Sequence, residues 1–354
     1  MTQPVHQRAK KSLHTRLHQR GAALLAAMLT VTLVATFAAT AMWQQWRSIE
    51  VETAERARVQ SAWILVGALD WSRLILIEDH NAGGADHLAE PWAVPLEEAR
   101  LSTFLAAERN VAQVEDASTD TSDAFLSGQI TDLQARLNLA TLLPRSGVDR
   151  EQARAPFKRL FAQLGLPAGE LGVLVQALAQ AHGPADGNAN TQTEPDPNAP
   201  LMPQGMEQLT WLGMAPATIA VLEPFVTLLP DPGTRVNLNT ASAEVLMASI
   251  KGLDQAGANK IVAVRQLQPF RTLADARALL GANIQLQENL HDTRSSYFEV
   301  RGRLRLDDVT VHERSVVHRV GRTVTTLTRQ RTAAVPGEVA DAAPAAVRQA
   351  ASLP

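Results

Sequence analysis

The 354-residue chain contains no cysteine. That absence excludes disulfides, thiolate chemistry and cysteine-based zinc sites, so a body exposed to an oxidising compartment has to stand on its core alone. Acidic residues are missing from the first twenty positions, where the only charges are Arg8, Lys10, Lys11, Arg16 and Arg20. Charge of either sign is then missing from Gly21 to Trp46. With five positive charges in the leader and a formal net charge of -3 for the whole, the remainder carries -8. An acidic body argues against bulk affinity for nucleic acid, which depends on cationic neutralisation of phosphates. No nucleophile, base and orienting group stand in a recognisable arrangement, and no second histidine lies at helical spacing from His87, so the expectation is a protein that is not an enzyme.

The uncharged run admits three readings. As a secretory signal it would be cut after Ala39-Thr40-Ala41 to leave Met42 at the terminus, yet it exceeds the usual apolar region of roughly 7–15 residues. As a plain anchor, Ala22 to Gln45 would span about 36 Å at ~1.5 Å per residue, enough to cross a bilayer core. As a prepilin-type signal it would be cut on the cytoplasmic side after Gly21, with Ala22 methylated and the apolar helix kept to build a filament. The junction Gln19-Arg20-Gly21-Ala22 and the length of the run favour the third reading. Basic residues ahead of the span place the N-terminus in the cytoplasm and the body outside.

Helical patterning continues from Arg47 to His80 without proline. Ala57, Ser61, Ile64, Ala68, Trp71 and Ile75 fall at alternating steps of four and three, which puts them on one stripe expected to face a globular head, with Trp63 and Trp71 as core. The register breaks at Asn81-Ala82-Gly83-Gly84. Asp86, His87, Glu90 and Asp132 read as turn caps and solvated faces rather than metal ligands. Phe125 to Leu139 reads as a strand or hairpin leading into a helix. From Arg150 to Leu229 the pattern is helical, with Phe157, Leu160, Phe161 and Leu164 on one buried face and Leu171, Leu174, Val175 and Leu178 on another. His182 to Pro203 is a long loop rich in Gly, Asn, Pro and Thr.

Val236-Asn237-Leu238-Asn239-Thr240-Ala241-Ser242 is the strongest internal motif, with Asn239 or Thr240 expected to cap a helix and Gly252 expected to turn into the next. The stretch resembles the helix-hairpin-helix module of DNA-binding proteins. Asp254 stands where that module has its second glycine, and adds a side chain and a negative charge at the closest approach to a phosphate. A compact helical interaction fold is therefore expected here.

Sheet patterning returns at Phe298, Val300, Leu304 and Leu306, which alternate with Glu299, Arg301, Arg303 and Arg305 as the wet face. Val309, Val311, Ser315 to Val320 and Thr323 to Thr328 continue it, with a hairpin at Gly321. Strands on both sides of a helical block imply that the block is inserted in an α+β head.

Together these features resemble the minor pseudopilins of the general secretion pathway protein K family of bacterial type II secretion. The resemblance runs from Gln19 to about Gln330, carried by the cleavage junction, Asp86–Trp92, Gln129–Leu139, Asn198–Pro230, Val236–Ser242 and Ser295–Val300. It implies an α+β fold with a pilin-like long N-terminal helix, an antiparallel sheet and a large inserted all-helical domain of SAM-like or helix-hairpin-helix-like type. The expected organisation is a cleaved leader at 1–21, a transmembrane helix at 22–45, a periplasmic amphipathic helix at 46–80, a head at 81–140 and 295–330, an insertion at 141–294 and a disordered tail at 331–354.

For function, the resemblance implies a tip subunit of a periplasmic filament in the inner membrane, assembling with the I and J minor pseudopilins, the major pseudopilin, the prepilin peptidase and the inner-membrane platform. Ala26 occupies the fifth position after the cut, where most pilin-like proteins have glutamate, and the K family shares this departure. Calcium is a feature of the family. Here the matching segment, Ala179-Gln180-Ala181-His182-Gly183, lacks the usual acidic stretch and leaves only Asp186, Glu194 and Asp196 further on, too few oxygens to assign a hard-cation site. The competing expectation is a membrane-anchored DNA receptor of the competence type, opposed by Asp254, the acidic body and the extra sheet.

Overall fold

A computed structural model describes residues 13–103, 124–144, 147, 149–183, 198–280, 284, 286–306 and 309–334. The chain divides into two units, residues 1–62 and 63–354. One helix, α1 (Leu13–Ala82), begins in the first and ends in the second.

In the first unit α1 passes through Gly21 without a break, and its side chains from Ala22 to Arg56 are exposed, including Leu24, Leu29, Phe37 and Met42. It is the one helix, among the described residues, long and apolar enough to cross a membrane. Four threonines in this run are already satisfied: Thr30, Thr32, Thr36 and Thr40 each donate a hydroxyl to a carbonyl one turn back, at 2.8 to 3.0 Å. A hydroxyl bonded to its own helix carries no unmet demand into hydrocarbon. Trp43 and Trp46, with ring centroids 5.5 Å apart, close the apolar run just before Arg47, the arrangement favoured at a membrane–water boundary.

The second unit holds the end of α1, from Trp63. Leu65, Leu69, Ser72 and Leu76 are its buried side chains. The expected stripe is therefore out of phase by one residue, since Ile64, Ala68, Trp71 and Ile75 lie on the flank and are half-buried. Trp63, expected in the core, is 71% exposed. Trp71 instead lines an apolar cavity of about 250 Å³ shared with Trp92, Val94 and Leu96.

After a 3-10 turn at Pro91–Ala93 come strands β1 (Leu96–Arg100), β2 (Ala124–Asp132) and the two-residue β3 (Leu137–Asn138), the latter preceded and followed by 3-10 turns rather than the expected helix. The helical block follows: α2 (Arg150–Gln163), α3 (Ala168–His182), a 3-10 helix at Met206–Leu212, α4 (Pro216–Leu222), β4 (Val226–Thr227), β5 (Val236–Asn237), α5 (Ala243–Ser249), α6 (Gln255–Leu267), α7 (Leu273–Leu279) and β6 (His291–Asp292). The chain then forms β7 (Tyr297–Leu306), β8 (Val309–Val320) and β9 (Thr323–Ala334), with Gly321 at a φ of 56° in the β8–β9 turn. The sheet thus runs four residues past the expected boundary at 330. The remainder of the expected tail, 335–354, and the acidic positions Asp186, Glu194 and Asp196 lie outside the described residues.

The main sheet has the order β1-β2-β7-β8-β9 and is antiparallel throughout. β2 and β7, side by side over nine residue pairs from Ala124↔Leu306 to Asp132↔Phe298, are separated in sequence by the whole helical block. Even-numbered residues of β7 face α1. At Gly302 a Cβ would sit 3.1 Å from Leu65 Cδ2, so glycine there lets the helix cross the strand closely. Leu69, Leu76, Trp92, Ile130, Phe298, Val300, Val317 and Val324 form the head core. A larger core fills the helical block, built on Phe157, Leu160, Leu174, Leu178, Leu246 and Ile261, with Leu164 only half-buried at its edge. Leu133, Leu229 and Tyr297 form a smaller cluster of their own.

The helix after the Asn-rich motif is capped by Ser242, whose Oγ accepts from Val245 N at 3.3 Å. This corrects the expectation of a cap at Asn239 or Thr240, both of which turn inward. Replacing Ser242 by alanine is expected to cost about 1 kcal/mol, read as a lower denaturant midpoint for the purified full chain in detergent.

Candidate functional site

Where the helical block leaves and rejoins the head, polar groups expected at the surface are buried together. Asp132, at the end of β2, is 2% exposed. Its Oδ1 accepts from Gln134 N at 2.7 Å as a cap. Its Oδ2 accepts from Thr240 Oγ1 at 2.6 Å, Ser295 Oγ at 2.6 Å and Asn237 Nδ2 at 3.1 Å. Asn237 Nδ2 also donates to Ser295 Oγ and to the Asp86 carbonyl, at 2.9 and 3.1 Å. Asn239 works on the other side of the motif, donating to Phe270 O and accepting from Phe270 N, both at 2.9 Å. So Asn237 and Thr240 bind the head, while Asn239 holds the loop after α6. Burial pushes the Asp132 carboxyl up to about 6, against the hydroxyl and amide donors that favour its ionised form.

Asp86 extends the network to the last long strands. One carboxylate oxygen pairs with Arg319 of β8, and the other accepts from Ser295 N at 2.7 Å. Arg319 also donates to Asp79 at 2.8 Å, to Leu76 O at 3.2 Å and to Ser295 O at 2.9 Å, and its guanidinium stands 4.8 Å from the Phe298 ring centre. Burial raises the Asp86 pKa despite Arg319. Burial would lower that of Arg319, but Asp86 and Asp79 outweigh it and hold the guanidinium above its usual value. Asp86 and Asp132 are therefore buried members of one junction, not solvated faces. His87 and Glu90 do keep a turn role: Glu90 Oε2 accepts from His87 N at 2.9 Å and from Trp92 Nε1 at 2.7 Å. No local spacing announces this set, because Asp86 and Arg319 are 233 positions apart.

Among the described residues, Asp79, Asp86 and Glu90 bring carboxylate oxygens within 4.8 Å of one another. A hard cation does not fit there. The Arg319 guanidinium already pairs with Asp79 and Asp86 and opposes a second cation, and backbone and indole donors hold the second Asp86 oxygen and one Glu90 oxygen, so most of the oxygens calcium would need are in use.

The hairpin between α5 and α6 turns at Gly252, with φ of 82°. Asp254 is the N-cap of α6, its Oδ1 accepting from Gly257 N at 2.8 Å. The helix end that would offer amides to a phosphate is thus closed by a carboxylate of its own chain. Of the other positions singled out, Gly21 and Ala22 are consecutive residues inside α1, and Ala26 is exposed one turn beyond them.

Residues 135–231 and residues 236–294 match two family profiles, each described as Type II secretion system (T2SS), protein K. The chain is 24% identical over 341 residues to the type II secretion system protein K of Pectobacterium carotovorum subsp. carotovorum, an alignment covering 89% of this chain and 97% of that one. Its fold resembles a chain in the crystal structure of the GspK-GspI-GspJ complex of the enterotoxigenic Escherichia coli type 2 secretion system. The TM-score is 0.58 and the identity 17%, over 79% of this chain and 98% of that one. At that identity the likeness is one of fold.

Proposed function

Since the chain belongs to the type II secretion system protein K family, we propose that it acts as a minor pseudopilin at the tip of the pseudopilus, initiating or capping a short filament that helps folded proteins cross the outer membrane. The observation that carries this reading is the 70-residue α1, apolar and uncovered from Ala22 and without a carboxylate at position 26. A filament subunit keeps such a helix for packing against neighbours. A buried carboxylate in a membrane helix is costly unless paired, and in pilins its partner is the amino terminus of an adjacent subunit. A subunit with alanine there forgoes that pairing, which suits an end position.

On this reading the prepilin peptidase cuts after Gly21, Ala22 is N-methylated, and the chain sits in the inner membrane with its leader in the cytoplasm and its second unit in the periplasm. The relative in the solved complex is named with GspI and GspJ, and the corresponding I and J minor pseudopilins are the partners proposed here. The head and its helical block act as binding surfaces, with no chemistry of their own. The expected boundaries, with the head at 81–140 and 295–330 and the insertion at 141–294, form part of the same reading.

Mass spectrometry of the mature N-terminus should find methylated Ala22 in cells with the prepilin peptidase and unprocessed chain in cells without it. A terminus at Met42, or the same terminus in both strains, would overturn the assignment.

A further inference from the structure

The face of the main sheet turned away from α1 is cationic in a chain whose body is acidic. Along β7, Arg301, Arg303 and Arg305 point to that face. Across it, Arg301 is paired in register with Arg314 and Arg303 with His312, flanked on the outer strands by the neutral Gln129, Ser127, Gln330 and Thr332. Like charges placed directly opposite on a sheet are destabilising unless something neutralises them. For the first pair the chain supplies it: Glu299, fully buried, bonds Arg301 and Arg314 at 2.5 Å each, and these two cations hold its pKa low against the opposing effect of burial.

The second pair carries one cation, because a lowered pKa keeps the His312 imidazole neutral, and that cation, Arg303, is only weakly neutralised. Glu98 is bound by Arg305 at 2.6 Å and reaches Arg303 only at 3.9 Å. Among the described residues Arg303 makes no other ion pair, and its side chain is 47% exposed. Arg136, close enough to feel Glu299, Arg301 and Arg314, is half-buried, and burial lowers its pKa. Burial and Arg303 likewise lower the pKa of His312. Arg301, Arg303, His312 and Arg314 border a shallow groove of about 520 Å³, whose one free acid among the described residues is the exposed Glu207 at the rim, Glu313 being held by Arg329 and Arg331.

We propose that this groove binds an extended acidic segment of a partner protein, lying along β7 with carboxylates at alternate positions that meet Arg301 and Arg303. The spacing follows from the strand: same-face side chains recur every ~6.8 Å on β7 and, at the same period, on an extended ligand. A guanidinium fork suits a carboxylate better than an ammonium would, and its partial burial limits screening by salt.

The test uses the full chain in neutral detergent and fluorescein-labelled twelve-residue peptides of one composition. One alternates Glu and Ser, and the other has its glutamates in a single block. Fluorescence anisotropy should show at least fivefold tighter binding of the alternating peptide, and at least tenfold loss for Arg303→Gln. Arg322→Gln, in the exposed β8–β9 turn, should leave binding unchanged. Equal affinity for the two peptides, no binding of either, or an undiminished affinity in Arg303→Gln would each overturn the proposal. So would tighter, Arg303-dependent retention on phosphatidylglycerol vesicles or duplex DNA than on the alternating peptide, since either would make the face a phosphate surface.

Discussion

Replacing Arg319 by leucine is expected to destabilise the second unit by about 3–5 kcal/mol. Leucine fills much of the same space beside Phe298, so lost packing is the smaller part. The larger part is what remains behind: two carboxylates that are 5 to 9% exposed and have lost their cation, and the carbonyls of Leu76 and Ser295, which have lost the guanidinium donor. A surface ion pair would be worth little, but a buried one broken on one side leaves uncompensated charge. The loss should shrink on acidification. With the cation gone, the Asp86 pKa, already raised by burial, rises further. A raised carboxylate contributes stability that is fully present below its ordinary pKa and lost as pH rises through the folded value. Arg319→Lys should recover only part of the loss, because one ammonium cannot span Asp79, Asp86 and two carbonyls at once. Trp92, whose ring centre is 5.2 Å from that of Phe298, gives the readout as emission against urea concentration at pH 5 and pH 7. A loss below about 1 kcal/mol that is the same at both pH values would show that Arg319 is not the neutralising group.

Much of the architecture can be read along the chain because it is written in local signals. The charge-free run after Gly21, the paired glycines at 83 and 84, the alternating residues of β7 and the apolar spacing of α2 and α3 each need only a window of a dozen residues. The phase of α1 needs more. Small and apolar residues cover more than half of its circumference, so Ile64-Ala68-Trp71-Ile75 and Leu65-Leu69-Leu76 both look like faces, and only the sheet decides between them. Gly302 is the deciding feature, since it admits Leu65 and so sets the rotation of the helix.

The junction was illegible for a different reason. Asp86, Asp132 and Arg319 look like surface residues in their own neighbourhoods, and partners that tie them together lie 105 to 233 positions away. One hint was present in the motif itself. Asn237, Asn239 and Thr240 are three capping-type residues before a helix that needs only one cap, and Ser242 supplies it. The surplus is explained by the head, which takes Asn237 and Thr240, and by Phe270, which takes Asn239. The same accounting weighs against the DNA-binding alternative, because an Asp254 oxygen is engaged in starting α6.

Asp132 is the residue on which the two halves of the junction meet, and its variants are expected to separate structural from titrating roles. Asp132→Ala leaves the Gln134 amide, the Thr240 and Ser295 hydroxyls and the Asn237 amide without their acceptor. At about 1–3 kcal/mol for each unsatisfied group, partly relieved by rotation of the hydroxyls, the net loss should be about 3–5 kcal/mol. Asp132→Asn keeps the shape and the oxygen that caps Gln134 but cannot ionise. In the native chain burial raises this carboxyl from 3.8 to about 6. The sign is that of a raised acid: its contribution is fully present below about pH 4 and is lost as pH rises through about 6. The difference of about 2 pH units corresponds to about 3 kcal/mol. The ionised form at pH 7 is therefore the strained one, held because four donors converge on it. Urea midpoints measured from pH 4 to pH 7 should fall more steeply for the native chain than for Asp132→Asn, and the gap between the two curves isolates Asp132 from Asp86, which titrates in the same direction. Parallel curves would mean that the carboxyl is not the titrating member of the junction. If the head and the helical block are held together through this one carboxylate, loss of binding to the partner pseudopilins in Asp132→Ala, with α1 still processed at Gly21, would follow from the same change.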